Sequence, residues 1–310
     1  MIENHEFYLE GGEIGILLIH GLTGTPTEMR GVARGLHSQG FTVYGMQLAG
    51  HCGDVDDLIQ TSWRDWYQSV IDAADKLRQK TRYLFVGGLS MGALLALKYA
   101  ADFPRRVNGV LVYGATFRYD GWSIPPVSQF LAPWFLPLMD MLKIGRYRMF
   151  NEEPPYGIQN ESLRHKISQS MLSGDSGAAG LPGNPWPSLS EMLQLSREVR
   201  KQLKNITSPC LILHAENDDI AHRRNGELVR DSISGPAEMV LLKNSYHMIT
   251  IDNDRRELIS LSIDFIERNA PSTRSVRSSM HSQEENQSIN AAITQGSVAN
   301  EPINSHSVGS

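Results

Sequence analysis

The sequence predicts a doubly wound α/β protein: a mostly parallel sheet of about six to eight strands, helices on both faces and one helical cap insertion. Three observations carry this. Short apolar runs alternate with longer amphipathic ones through the first third of the chain. The pentapeptide Gly88-Leu89-Ser90-Met91-Gly92 stands between one such run and an Ala/Leu stretch. From about Thr116 to Asn205 the strand pattern stops, and it then resumes at Pro209–His214.

In chain order, Phe7-Tyr8-Leu9 reads as a short strand turned at Gly11-Gly12. The continuous apolar run Ile14–Ile19 suits a strand covered on both faces. After the loop His20-Gly21-Leu22-Thr23-Gly24, Thr25-Pro26-Thr27-Glu28 offers an N-cap, a first-turn proline and a capping-box glutamate, opening a helix that should reach about Gln39. Phe41 to Met46 is the next strand, followed by the loop Gln47–Gly53 and a helix from Ser62 to Arg78 that carries Trp63 and Trp66. Tyr83 to Val86 leads into Gly88–Gly92, and Val107 to Tyr113 gives a further strand.

The stretch 116–205 is far longer than one crossover needs. Its apolar residues, among them Trp122, Phe130, Trp134 and Phe135, suit a cap over the C-terminal edge of the sheet. Glu161–Leu172 reads as a polar helix, Ser173–Pro187 as a Gly/Pro/Ser loop, and Ser188-Leu189-Ser190-Glu191 as a second capping box opening a helix to about Leu203. Ala237–Leu242 and a helix from about Asp254 to Arg268 complete the fold. The expected organisation is a core of 1–115 and 206–270, a cap at 116–205 with its return helix, and a tail at 271–310. That tail has no aromatic residue and is rich in Ser, Asn and Gln, so it should be disordered.

Composition narrows the function. Across 310 residues, 41% hydrophobic content supports a large core, while a net charge of −5 and a pI near 6.1 argue against a nucleic-acid partner. Cys52 and Cys210 make no disulfide framework, and Cys210 falls in a predicted core strand. The acidic N-terminus lacks the basic and apolar regions of a signal peptide. The apolar stretch Phe130–Leu142 is too short and too proline-rich to span a bilayer. A cytoplasmic protein with no integral membrane segment is expected.

Gly88–Gly92 is a G-x-S-x-G nucleophile elbow in its required setting of strand, tight turn and helix. Ser90 must occupy a strained turn, and side chains at 88 or 92 would collide with neighbouring backbone. A serine nucleophile needs a base and a carboxylate to orient it. With such an elbow the chain order is Ser, then Asp or Glu, then His. Asp218 follows the strand ending at His214, and His247 follows the last strand, both in loops at strand C-termini. Spacing does not separate Asp218 from Asp219; Asp218 is the preferred partner, leaving Asp219 a solvated loop residue. The backbone N–H groups of Leu22 and Met91 are the expected oxyanion donors. His20 and His51 read as props for their loops, and His214 as a satisfied core residue or one that supports the site from behind. Gly21, Thr23, Trp122 and Tyr246 are the expected substrate contacts.

The pieces His20-Gly21-Leu22-Thr23-Gly24-Thr25-Pro26, Gly50-His51, Trp63-Arg64-Asp65-Trp66, Gly88–Gly92, Glu216-Asn217-Asp218 and Ser245-Tyr246-His247 span residues 14 to 252 in order. Together they resemble the α/β-hydrolase superfamily, specifically its carboxylesterase and monoacylglycerol lipase branch. Cys52 stands where the branch usually has glycine after the histidine, and Tyr246 replaces the usual glycine before the catalytic histidine. The resemblance implies ester hydrolysis through an acyl-enzyme on short- or medium-chain acyl esters or monoacylglycerols, with no cofactor and no metal. An acyl-thioesterase or lactonase would use the same triad, and a non-catalytic ligand receptor on this fold is a more distant alternative. Monomer and homodimer are both compatible with it. Dehalogenase and epoxide hydrolase chemistry would place an aspartate at the elbow.

Overall fold

The structure, a computed structural model, describes residues 2–172 and 180–270. The tail expected to be disordered, 271–310, and residues 173–179 of the expected Ser173–Pro187 loop lie outside the described residues.

Seven strands form one sheet in the order β1-β3-β2-β4-β5-β8-β9. They are β1 (Phe7–Leu9), β2 (Ile14–Ile19), β3 (Thr42–Gly45), β4 (Tyr83–Leu89), β5 (Gly109–Tyr113), β8 (Cys210–Ala215) and β9 (Ala237–Leu242). Only β1 runs antiparallel, against β3; every other pairing is parallel. All six residues of β2 are buried, as its unbroken apolar run requires for a strand covered on both faces. On one face Leu17, Ile19, Val86, Val110 and Ile212 pack with α3 (Trp63–Arg78) and α4 (Met91–Asp102). On the other, Phe85 meets Phe265 of α9 (Arg255–Asn269) edge-to-face at 6.3 Å. The C-terminal ends of β2, β4, β5, β8 and β9 thus open on one edge, where a doubly wound sheet places its ligands.

Several elements depart from expectation for identifiable reasons. Thr25 does cap, accepting from Thr27 N–H at 3.2 Å, but Pro26–Met29 forms a 3-10 turn and α1 begins only at Arg30, running to His37. Glu28 makes no capping box; the tighter turn sends its carboxylate back to Gly21 N–H. A short helix, α2 (Val55–Ile59), is opened by an Asp54/Asp57 capping box that the sequence reading overlooked. A helix after β8, α8 (Arg224–Ser232), was overlooked as well.

The segment between β5 and β8 is not free of strands. β6 (Met149–Asn151) and β7 (Gly183–Pro185) pair antiparallel in a small sheet of their own. Three residues each, with a proline in one, they carry too little alternation to be read. α5 (Pro126–Met141) runs straight through Pro133 and Pro137. Pro137 has no N–H for the carbonyl of Pro133, and Arg197 Nη2 donates to that oxygen instead, at 2.6 Å. Leu136 is buried, whereas Phe130, Trp134 and Met141 are more than 70% exposed.

α6 occupies Glu161–Leu172 as expected, and α7 (Trp186–Gln202) starts at Trp186, two residues before the expected cap. Ser188 is therefore a buried residue inside the helix, and Glu191 accepts from Trp63 N–H at 3.0 Å, tying α7 to the start of α3. No helix among the described residues is long and apolar enough to cross a membrane.

Candidate active site

β4 delivers Ser90 into a backbone conformation of φ +58° and ψ −115°, which costs energy for any side-chain-bearing residue. The glycines on either side permit the turn. A Cβ on Gly88 would strike the backbone of Gly92, and one on Gly92 would strike the carbonyl oxygens of Ile19 and His20. Ser90 N–H donates to Tyr113 O at 2.9 Å, keeping the turn locked to β5. Met91 opens α4, and an N–H in the first turn of a helix has no intrahelical acceptor.

The loop after β2 lies against this elbow: a Cβ on Gly21 would sit 3.6 Å from Ser90 Cβ. His20 holds the loop. Its Nε2 accepts from Leu48 N–H at 3.1 Å, so the ring proton is on Nδ1, which donates to Gly21 O at 3.0 Å. The His51 ring meets it edge-on at 4.9 Å, and His51 Nδ1 donates to Ala49 O at 3.0 Å. Burial keeps both imidazoles neutral, pushing His51 down to about 4. Glu28 Oε1 accepts from Gly21 N–H at 2.5 Å. Desolvation raises that carboxyl to about 7, against the pull of the Gly21 N–H.

Asp218 and His247 meet on the loops after β8 and β9. His247 Nδ1 lies 2.8 Å from Asp218 Oδ2 and 3.1 Å from Oδ1, with both side chains buried. Asp218 Oδ1 also accepts from Ile220 N–H at 2.9 Å and Ala221 N–H at 2.7 Å. Burial would raise this carboxyl, but the charge and hydrogen bond of His247 hold it below the usual range. Burial likewise opposes charge on His247, yet Asp218 and Asp219 raise the imidazole above its ordinary value. His214 is fully buried and donates from Nε2 to Ala221 O at 2.7 Å.

Asp219 is not the solvated loop residue that spacing suggested. It is buried and accepts from His247 N–H at 3.2 Å and Gly157 N–H at 3.0 Å, fastening the β5–β8 segment to the histidine loop. Asp252 does the same through Gln159 and Asn160 N–H, at 2.7 and 3.0 Å. Thr116, which no motif marks, lies beside Ser90 with its hydroxyl 3.0 Å from Ser90 Oγ.

Ser90, His247, Gly21 and Leu22 line a cavity of about 1190 Å³. Phe117, Ala132, Leu136, Pro137, Leu189 and Leu193 give it an apolar wall, and Glu28, Glu152 and Asn184 a polar one. Burial raises the Glu152 carboxyl as well. Thr23, Trp122 and Tyr246 lie outside this lining. Thr23 (φ +59°) turns its hydroxyl onto Leu22 O. The Trp122 indole donates to Asn217 O at 3.0 Å and packs edge-on against Tyr246, so the pair braces the loop that carries Asp218. Among the described residues no cluster of three His, Cys, Asp or Glu side chains could hold a metal ion.

Comparisons with known proteins give the chain's relatives. A sequence profile of the family described as "Serine aminopeptidase, S33" matches residues 14–254. The thermostable monoacylglycerol lipase of Bacillus sp. (strain H-257) is 29% identical over 265 residues, covering 85% of this chain and 94% of that protein. The carboxylesterase of Bacillus subtilis (strain 168) is 22% identical over 265 residues, covering 84% and 96%. Among solved structures, a chain from the study of LipS and LipT, two metagenome-derived lipolytic enzymes, superposes with a TM-score of 0.67 at 27% identity, covering 85% and 97%. The monoacylglycerol lipase of Paleococcus ferrophilus superposes at 0.72 with 16% identity, covering 87% and 100%, and so shares the fold.

Proposed function

The chain belongs to the serine hydrolase family described as serine aminopeptidase, S33, with the α/β-hydrolase fold, and on that premise we propose that it hydrolyses carboxylic esters through an acyl-enzyme on Ser90. The observation that carries the reading is the His247–Asp218 contact of 2.8 Å beside a strained serine on the floor of a large, partly apolar cavity.

Ser90 Oγ attacks the ester carbonyl, and His247 Nε2 receives the serine proton and later gives it to the leaving alcohol. Asp218 accepts the Nδ1 proton of His247, which fixes the tautomer and stabilises the imidazolium as it forms. The N–H groups of Leu22 and Met91 hold the oxyanion. Water then attacks the acyl-Ser90 carbonyl with His247 as base. Residues 116–205 serve as a cap on the core of 1–115 and 206–270; in support, α5, β6, β7 and α7 all contribute to the cavity lining. Its apolar wall suits the acyl chain of a short- or medium-chain ester or a monoacylglycerol, and the names of the two Bacillus relatives support the same classes. An aminopeptidase would need a fixed anion for the substrate ammonium. Glu28, Asp120, Glu152 and Glu153 all line the cavity, so a peptidase probe belongs in the test.

The test is hydrolysis of p-nitrophenyl esters from acetate to palmitate, with Ser90→Ala beside the wild type and leucine p-nitroanilide as the peptidase probe. Ester turnover that peaks at one chain length and falls by several orders of magnitude in Ser90→Ala is the expected result. An inert wild type, or an alanine variant as active as wild type, overturns the reading. Faster cleavage of the anilide than of any ester moves it to peptidase chemistry.

A further inference from the structure

Four arginines line the cavity that holds Ser90: Arg118, Arg197, Arg200 and Arg224. Arg118 stands on the segment after β5, Arg197 and Arg200 on α7, and Arg224 at the start of α8. Two bonds draw these elements together. Ser196 Oγ donates to Phe117 O at 2.8 Å, and Arg118 N–H donates to Asn225 Oδ1 at 2.9 Å. All four arginines are exposed, so they stand at a mouth of the cavity. Among the described residues none of them has a carboxylate within ion-pair distance. Arg197 gives one donor to Pro133 O, and a guanidinium carries five.

Unpaired like charges at a shared mouth repel one another, and an anion between them relieves that repulsion. Part burial and the Arg118 charge beside it push the Arg200 guanidinium below its ordinary value. The carboxylates of the lining lie elsewhere or are engaged. Glu28 is on the turn after β2, and Glu152 accepts from Asn184 Nδ2 of β7 at 3.3 Å, with Glu153 next in sequence. Asp120 Oδ1 accepts from His222 N–H and Asn225 Nδ2, both at 2.9 Å. Along α7 the lining changes character: Leu189 and Leu193 are followed by Ser196, Arg197 and Arg200. At the rise of an α-helix, Arg200 lies about 10 Å beyond Leu193. An occupant lying along this face meets an apolar stretch and then the guanidiniums.

We propose that the cavity takes esters that bear an anion, phosphate or carboxylate, held at the mouth by Arg118, Arg200 and Arg224 while an apolar stretch lies against α7. The proposal rests on the reading of the protein as an ester hydrolase with Ser90 as nucleophile. A guanidinium suits either anion, because its forked donors meet two oxygens at once. A neutral ester leaves these donors to water, whereas an anionic one supplies charged acceptors. The arginines thus select by charge, and the apolar wall by chain length. The anion can be carried by the acyl chain or by the alcohol, and two substrate pairs separate these.

The first pair is p-nitrophenyl octanoate and the mono-p-nitrophenyl ester of suberic acid; the second is monooctanoylglycerol and its phosphate ester. The proteins are wild type, Arg118→Gln/Arg200→Gln, Arg105→Gln and Ser90→Ala. Wild type should favour the anionic member of at least one pair by about tenfold in kcat/KM, and the double variant should lose most of that ratio. Raising the salt from about 0.05 M to about 0.5 M should shrink it. Arg105, beyond the far end of α4 from Ser90 and outside the lining, is the control, and its variant should keep the wild-type ratio. Calorimetry with octyl phosphate, octanol and inorganic phosphate reads the subsite without turnover. Octyl phosphate should bind wild type more tightly than either of the others and lose about tenfold in the double variant. No preference for the anion in either pair, a preference that the double variant retains or that Arg105→Gln loses equally, or inorganic phosphate bound as tightly as octyl phosphate each overturns the proposal. The wild-type ratio and its salt dependence decide the matter even if the double variant fails to fold. A wild type inert on every ester, or matched by Ser90→Ala, sinks the ester-hydrolase reading instead, and calorimetry then decides the subsite by itself.

Discussion

Glu28→Gln isolates the electrostatic cost of the carboxylate under the oxyanion loop. Glutamine keeps an oxygen for Gly21 N–H and removes the titration. In the folded protein the Glu28 carboxyl sits at about 7 against an ordinary 4.5. The native state therefore binds this proton more tightly than the unfolded chain does. Its contribution is present below about pH 4.5 and is lost as pH rises through about 7. The full shift corresponds to a ceiling of about 3 kcal/mol. Glu28 is only partly buried at the edge of the cavity it lines, and solvent screening there leaves on the order of 1–2 kcal/mol. Thermal unfolding of both proteins at pH 5 and pH 8 reads the difference, with the variant gaining on wild type by about 2–8 °C in Tm at the higher pH. Groups common to both proteins, such as Asp218 and His247, largely cancel in the subtraction. A Tm gap that is the same at both pH values, or that moves toward wild type, would refute the argument.

The other expectations need simpler assays. Gly92→Ala drives a methyl into the carbonyl oxygens of Ile19 and His20; since both belong to backbone, urea unfolding should show a loss of about 2–4 kcal/mol. Asp219→Ala strands the N–H groups of Gly157 and His247 and should cost about 2–5 kcal/mol in the same assay, with a lower kcat. Asp218→Asn presents an amide donor to His247 Nδ1, forces the other tautomer, and should lower kcat on p-nitrophenyl esters by about 10³–10⁴-fold. Because Asp218 and its neighbours overcome the effect of burial on His247, the acid limb of wild-type kcat/KM should have its midpoint above 6.5.

What the sequence made legible were the elements whose chemistry is local. The elbow depends on glycines at fixed offsets around Ser90, and the buried strands on unbroken apolar runs; both are visible within ten residues. Glu28 and Glu191 show where local reading stops. Each sits at capping-box spacing, yet each carboxylate accepts from a distant N–H, Gly21 in one case and Trp63 in the other. A 3-10 turn and a helix start displaced by two residues decide this, and neither has a strong sequence signature. Asp219 was legible as a carboxylate but not as a buried one, because its donors come from 62 and 28 residues away. Helix α5 defeats the proline rule because Arg197, on another helix, supplies the donor that Pro137 lacks.

β5 and β8 are hydrogen-bonded neighbours, in register from Val110 on Cys210 to Tyr113 on Leu213, although residues 116–205 part them in sequence. The intervening segment leaves at the C-terminal end of β5 and, because the pair is parallel, re-enters at the opposite, N-terminal end of β8. Its length is then nearly immaterial to the sheet, since the entropy of closing a loop grows only logarithmically with size. The segment is fastened to the loops of Asp218 and His247 by backbone amides, Gly157 on Asp219 and Gln159 and Asn160 on Asp252, and by side chains, Trp122 on Asn217 O and Tyr246 and Asn160 on Asn253. A substitution in this segment that redraws the cavity wall therefore also reaches the supports of Asp218 and His247.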